Sequence, residues 1–269
     1  MSIINIPQVF KDDDTVYHYT SSKTALLYIL KSNQLRLSPR SNSIDPIENT
    51  KEFISYSGEP DNEKLRRIGK KISNELNNVK QVSFCKNEPD DNSKGIVSVP
   101  PLEKYGFAKP RMWDNYGDKY TGVCIAFSRR KLKEKIMVDE DIQYLTFDEF
   151  KRRHQSVEWK GTEANTYECY KKYFQDKLFY KHKDYEMESE YRICSFLNQP
   201  FDYIDNISGA IVGLVISEKG INEYLYSGVA DLIPNIPFLI AKFNSTTGFG
   251  IEKYEDYKKR IDICSARNG

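Results

Sequence analysis

Short apolar runs recur along the sequence, each about the length of one strand. TGVCIAFS (121–128), GAIVGLVIS (209–217), PFLIAKFN (237–244) and VKQVSFCK (79–86) mix β-branched, aromatic and small residues between polar flanks. Runs of this kind read as strands of a buried sheet. Between them lie segments with helical spacing. Residues 62–77 form a polar helix, Tyr167, Tyr170, Phe174 and Leu178 mark a long helix over 161–179, and 218–232 reads as another. Strands and helices intermix without regular βαβ units. No GxGxxG opens a helix after a strand, and no GxxxxGK[ST] occurs, which counts against Rossmann and P-loop folds. The expectation is a single α+β domain over 1–269, with a twisted or split mixed β-sheet and flanking helices. Residues 87–101 (NEPDDNSKGIVSVPP) read as a flexible insertion, and GFGIEKYEDY (248–257) as a last strand.

Composition removes several function classes. No apolar stretch approaches the roughly 18 residues of a membrane span. The start, MSIINIPQVFKDDD, has no basic segment followed by a long apolar run, so it does not read as a signal peptide. The formal net charge is +1, which gives no global electrostatic case for nucleic acid or membrane. The basic runs KLRRIGKK (64–71) and SRRKLKEK (128–135) alternate with apolar residues and read as solvated helix faces. Cys85, Cys124, Cys169, Cys194 and Cys264 form no CxxC and sit beside no histidine at ligand spacing, so neither zinc nor a disulfide framework is expected. Cys85, Cys124 and Cys194 lie in apolar runs as small core residues, which suits a reducing cytoplasm. The 19 tyrosines fit aromatic-lined helices or a pocket for a planar ligand, or equally an AT-rich genome.

Three histidines and one acidic run carry the candidate chemistry. His154 reads as solvent-facing, and His182 as a cation following the long helix. His18 lies in the strand TVYHYT (15–20), with Tyr17 and Tyr19 on the opposite face. With the tyrosines in the core, His18 faces a cleft or solvent beside Val16 and Thr20. Ser21 or Ser22 caps a following helix whose stripe is Ala25, Leu26, Ile29 and Leu30. In DYEMESEYR, strand periodicity puts Glu186, Glu188, Glu190 and Arg192 on one face as the run enters the apolar ICSF. Carboxylates there need either ion-pair partners or a use. Glu190–Arg192 or Glu–Lys pairing is one reading. A carboxylate positioned for glycosyl transfer is the other. The acidic runs Asp12-Asp13-Asp14 and VDEDIQ (138–143) lack metal-ligand spacing and read as solvated turns.

Taken in order, YHYTS, LRLSPRSNSIDPIE, VSFCK, MWDNYGDKYTGVCIAF and DYEMESEYRI resemble the motifs of bacterial domain-of-unknown-function family twenty-nine seventy-one. These are an aromatic-His-Tyr-Thr start, an Asn-Asp-Pro-x-Glu loop, a Cys-Phe-Ser strand, a Met-Trp helix with Gly-Val-Cys, and a Glu-x-Glu-aromatic-Arg strand. The resemblance runs from about Tyr17 to the strand at 209–217. Ile44 stands where Asn is usual, and Ser83-Phe84-Cys85 permutes Cys-Phe-Ser. The opening strand also resembles that of DNA-modifying ADP-ribosyltransferase toxins, which close their site with a glutamate on a later strand.

This second resemblance implies an ADP-ribosyltransferase-like fold with NAD as substrate and no metal. It implies that His18 and Thr20 hold NAD and act with a catalytic Glu190, or Glu188. Tyr19 or Trp113 would stack on a ring of the cofactor, although Trp113 and Tyr116 in MWDNY also read as core anchors, and Ser38, Arg40 and Glu188 would lie beside it. The arginine that opens the site in arginine-modifying members has no counterpart, since this strand offers His18. The implied activity is NAD-dependent transfer to a nucleic-acid or protein acceptor, in a toxin or anti-phage defence effector. The alternatives are a non-catalytic NAD or ADP-ribose sensor on the same fold, and a metal-dependent nuclease using the clustered acids.

Overall fold

The computed structural model describes residues 6–43, 45–49, 63–88, 102–133, 138–154, 156–197, 199–245 and 248–267. Beyond its first two residues, the expected insertion at 87–101 lies outside them, as does Ile44. In chain order the strands are β1 Thr15–Thr20, β2 Gln34–Pro39, β3 Lys80–Lys86, β4 Val123–Ser128, β5 Val138–Asp141 and β6 Gln143–Leu145. They continue with β7 Tyr180–His182, β8 Glu190–Ser195, β9 Asp202–Asp205, β10 Ile211–Ser217, β11 Phe238–Asn244 and β12 Gly248–Lys253. The α-helices are α1 Ser22–Thr24, α2 Pro46–Asn49, α3 Glu63–Asn77, α4 Pro110–Asn115, α5 Arg129–Lys133, α6 Phe147–Arg152, α7 Glu163–Asp176, α8 Glu223–Leu232 and α9 Tyr254–Arg267. This is the expected α+β class, with mixed pairing and flanking helices. No helix among the described residues is long and apolar enough to cross a membrane.

The chain divides into two compact units, the first comprising Met1–Leu35, Phe84–Ile136 and Ile204–Gly269, the second Arg36–Ser83 and Met137–Tyr203. In the first unit the strand order is β12-β11-β10-β4-β1-β3. β1 pairs antiparallel with β4 along its whole length, from Thr15↔Ser128 to Thr20↔Val123. β10 runs antiparallel to β4 and parallel to β11. The six residues of β4 are all buried, as its apolar composition requires of a central strand. Tyr17 and Tyr19 enter a core with Phe10, Phe107 and Trp113. Their hydroxyls donate to the carbonyls of Phe10 and Gly106, each at 2.7 Å, so the rings are buried without leaving a polar atom unsatisfied.

The second unit packs helices on its strands. Leu65, Ile68, Ile72 and Leu76 recur at helical spacing on α3 and share a core with Tyr170 and Phe174 of α7. β5 pairs antiparallel with β8 from Val138↔Cys194 to Asp141↔Tyr191, and β6 pairs parallel with β7. The acidic run at 138–143 is therefore largely strand, not a turn. Pairing with β8 holds residues of poor intrinsic strand preference in extended form. The run 248–257 is a strand only to Lys253, and α9 begins at Tyr254.

Two backbone departures belong to the first unit. Ser21 caps the helix after β1 as expected, its hydroxyl accepting from Thr24 N–H at 3.2 Å. After Thr24, however, residues Ala25–Leu30 wind as a π-helix, with Lys31 N–H donating to Leu26 O at 3.1 Å. Then Asp118, Lys119 and Tyr120 take φ of 50°, 53° and 69°, a left-handed turn of three successive non-glycine residues. Each such residue costs about 1–2 kcal/mol relative to a right-handed conformation.

Candidate functional site

The acidic run around Glu190 forms a cluster of buried charge in the second unit. Strand β8 starts at Glu190, so Glu190 and Arg192 share a face, two residues apart. Arg192 Nε donates to Glu190 Oε1 at 2.8 Å, with Nη2 at 2.7 Å from the same oxygen. Arg192 Nη1 donates to the carbonyl of Leu178 at 2.6 Å, and Nη2 also donates to Glu48 Oε1. Glu48 stands on α2, where Asp45 Oδ1 accepts from Ile47 N–H at 2.8 Å and fixes the first turn. Ser43 Oγ donates to Glu48 Oε2 at 2.5 Å. From β7, Lys181 donates to Glu188 Oε2 at 2.6 Å and to Glu190 Oε2 at 3.1 Å. Parallel pairing sets Tyr144 of β6 opposite Lys181, and the Tyr144 hydroxyl oxygen accepts from Glu190 N–H at 2.8 Å.

The path to this cluster differs from a continuous strand over 186–192. Lys183–Glu188 is a 3-10 helix, and Ser189 sits in the left-handed region at φ 46°. That reversal sends Glu186 to the surface and brings Glu188 back under Lys181. Both ion-pair types foreseen for this stretch are present, Glu190–Arg192 and Glu–Lys. The cluster thus links Glu48, Arg192, Glu190, Lys181 and Glu188, each no more than 5% exposed. Burial opposes the ionised form of Glu190, but the positive charges of Arg192 and then Lys181 outweigh it. The carboxyl is lowered to about 2, and a hydrogen bond from Ser83 adds to the effect. Burial likewise opposes the charged forms of Lys181 and Arg192. Glu190 first, then the neighbouring acids, raise both above their ordinary values. Burial also pushes the Cys194 thiol up to about 12, so it is a protonated core residue.

Glu190 is therefore anionic at any ordinary pH, yet both of its oxygens are engaged and it is 3% exposed. A substrate atom approaching it must displace Lys181 or Arg192. Separating such a buried pair leaves an uncompensated charge, at a cost of about 3–5 kcal/mol.

The other expected residues are placed as follows. Ser38 and Arg40 belong to the second unit. Ser38 pairs in register with Gln81, and the buried Arg40 opens a 3-10 turn with its N–H on Val79 O. His18, Tyr19 and Thr20 belong to the first unit. His18 is half-buried, its ring centroid 5.7 Å from that of Phe84. Tyr19 meets Trp113 edge-on at 5.2 Å, its oxygen also accepting from Lys109 N–H at 3.3 Å, so both rings serve the core. Thr20 is buried at the end of β1. His154 is exposed as expected. His182 ends β7 rather than a helix, stacks on Phe147 at 4.1 Å, and its Nδ1 accepts from Asp184 N–H at 3.4 Å. Among the described residues, no group of three or more His, Cys, Asp or Glu is arranged to hold a metal ion.

Sequence reasoning did not single out Lys181, Glu48 and Tyr144. Glu48 carried a signal as the last residue of Asp-Pro-x-Glu. Lys181, inside YKHKD, reads as one more solvated cation.

Residues 112–193 match the family described as "Protein of unknown function (DUF2971)". The match covers a little under a third of the chain and takes in Trp113, the left-handed turn, Lys181, Glu188, Glu190 and Arg192. No curated protein and no solved structure matches the chain.

Proposed function

We propose that this chain binds a nucleotide of the NAD or ADP-ribose type and does not turn it over, Glu190 serving the fold rather than catalysis. The nucleotide assignment rests on the resemblance of the opening strand to ADP-ribosyltransferase toxins. In this reading His18 and Thr20 are the nucleotide-contacting residues of β1. The observation that separates binding from catalysis is the engagement of both Glu190 oxygens, Oε1 by Arg192 and Oε2 by Lys181. A carboxylate that stabilises a developing oxocarbenium ion works by lying within about 3 Å of it, in a position already organised for the transition state. Here the organised partners are the protein's own cations.

One observation favours the transferase reading. Arg192 and Lys181 lower the Glu190 carboxyl below its ordinary range and hold it as the carboxylate, the form a charge-stabilising group needs. Under that reading Glu190 acts as the catalytic carboxylate, nicotinamide leaves NAD, and a nucleic-acid or protein nucleophile accepts the ADP-ribosyl group.

Calorimetry with NAD and with ADP-ribose, run beside an assay of nicotinamide release, separates the two. Binding heat without release supports the sensor. Release that Glu190→Gln abolishes supports the transferase. Neither heat nor release, in a folded sample, removes the nucleotide assignment.

A further inference from the structure

The left-handed turn at Asp118–Tyr120 is held from several sides within the first unit. Thr121 N–H donates to Gly117 O and Asp118 O, each at 3.1 Å, and Gly122 N–H donates to Gly117 O at 2.8 Å. A Cβ on Gly122 would lie 2.3 Å from Thr20 O, and one on Gly220 would lie 1.9 Å from Thr121 O, so neither position admits a side chain. Ser22 Oγ donates to Thr121 O at 3.0 Å. A strained backbone fixed this firmly is characteristic of ligand clamps and active sites.

The turn delivers the ring of Tyr120 to the side of a shallow, largely open hollow of ≈ 290 Å³. Tyr120 meets Phe243 edge-on with ring centroids 4.7 Å apart. The Lys219 ammonium stands 5.4 Å from the centre of the Tyr120 ring. Asn244, Ser245 and Gly248 complete the lining. Gly248 has φ +71°, and apart from its chain neighbours no described residue lies within 4 Å of where its Cβ would be.

We propose that this cavity binds a small planar aromatic anion, its ring packed on Tyr120 and Phe243 and its charge on Lys219. Small-molecule pockets run from about 300 to 1,000 Å³, and this one lies at the lower limit, room for one or two rings and their substituent. The lining decides the charge, since Lys219, which lies over the Tyr120 ring, is the one charged side chain among its described lining residues. The site uses none of the residues assigned to NAD or ADP-ribose, so it stands or falls separately from that reading.

The test is an amide-resolved NMR titration of the full chain with benzoate, and with benzamide as the uncharged analogue. The expected result is saturable benzoate shifts at Tyr120, Thr121 and Asn244, with benzoate binding about tenfold more tightly than benzamide, as a charge-assisted contact gives. Lys219→Gln, a change at an exposed side chain, should bring benzoate down to the benzamide level. Phe243→Leu, which keeps apolar volume but not the ring, should weaken both. Equal binding of the two probes, no saturable shift, shifts confined elsewhere, or an unaltered Lys219→Gln titration overturns the proposal. Displacement of benzoate by NAD also overturns it, because it would put the nucleotide in this cavity.

Discussion

Arg192 and Glu190 stand two residues apart on β8, and the guanidinium holds one carboxylate oxygen through two contacts, at 2.8 and 2.7 Å. The same guanidinium reaches Glu48 and the carbonyl of Leu178. One side chain thereby joins the start of β8, the Asp-Pro-x-Glu helix and the 3-10 turn Lys177–Phe179 that follows α7.

Replacing Arg192 should be among the most damaging single changes in the second unit. Arg192→Met leaves Glu190 and Glu48 buried without their main cation, and breaking a buried pair in this way costs about 3–5 kcal/mol. Arg192→Lys should recover little of this, because an ammonium cannot hold two carboxylates and a carbonyl in the same fork. Urea denaturation of the three proteins measures it. A loss below about 1 kcal/mol, the range of an exposed pair, would show that the network is not buried in solution.

Stability should depend on acid pH through Glu190. Its folded value, about 2, lies below the ordinary 4.5. A depressed carboxyl stabilises the fold above its unfolded value and loses that contribution as pH falls through the folded one. The unfolding midpoint should therefore be flat in this term above about pH 5 and decline between about 4.5 and 2. Glu190→Gln should flatten that limb while lowering stability at neutral pH. Denaturation at a series of pH values, in both proteins, reads the difference.

Tyr144→Phe should cost about 1 kcal/mol, the worth of one hydrogen bond. It removes the acceptor for Glu190 N–H, seen at 2.8 Å, and leaves the ring in place. Amide exchange at Glu190 should accelerate in step. Unchanged exchange would mean that this N–H finds another partner.

Relieving the left-handed turn should stabilise the first unit. Lys119 is exposed at φ 53° and pairs with Asp114 at 3.2 Å on the surface. Lys119→Gly removes the steric penalty and loses only an exposed ion pair, for a net gain of about 0.5–1 kcal/mol. A thermal melt measures it, and a fall in the midpoint would argue that the Lys119 side chain holds the turn.

The strands that the sequence made legible were those where apolar content and β-branching coincide: β1, β3, β4, β8, β10 and β11. The helices α3 and α7 were legible by their spacing. The strands β5, β6 and β7 were not, because short polar strands acquire their form from partners, as Val138–Asp141 does from β8. The run before β8 misled for a different reason. Glu186, Glu188 and Glu190 alternate as a strand would, and no glycine marks the reversal, which Ser189 makes at φ 46°. The pairing of Glu190 with Arg192 was readable from their two-residue spacing. The contact of Arg192 with Glu48, 144 residues away in the chain, has no local signature.

The central claim is that Glu190 is committed to the fold, so that a bound nucleotide is held and not cleaved. Nicotinamide release from NAD by the purified chain, with calorimetric binding followed on the same sample, tests it most directly. The account predicts a binding isotherm for NAD, weakened by His18→Ala, with no nicotinamide above the rate in buffer. Nicotinamide release that disappears in a folded Glu190→Gln variant would contradict it.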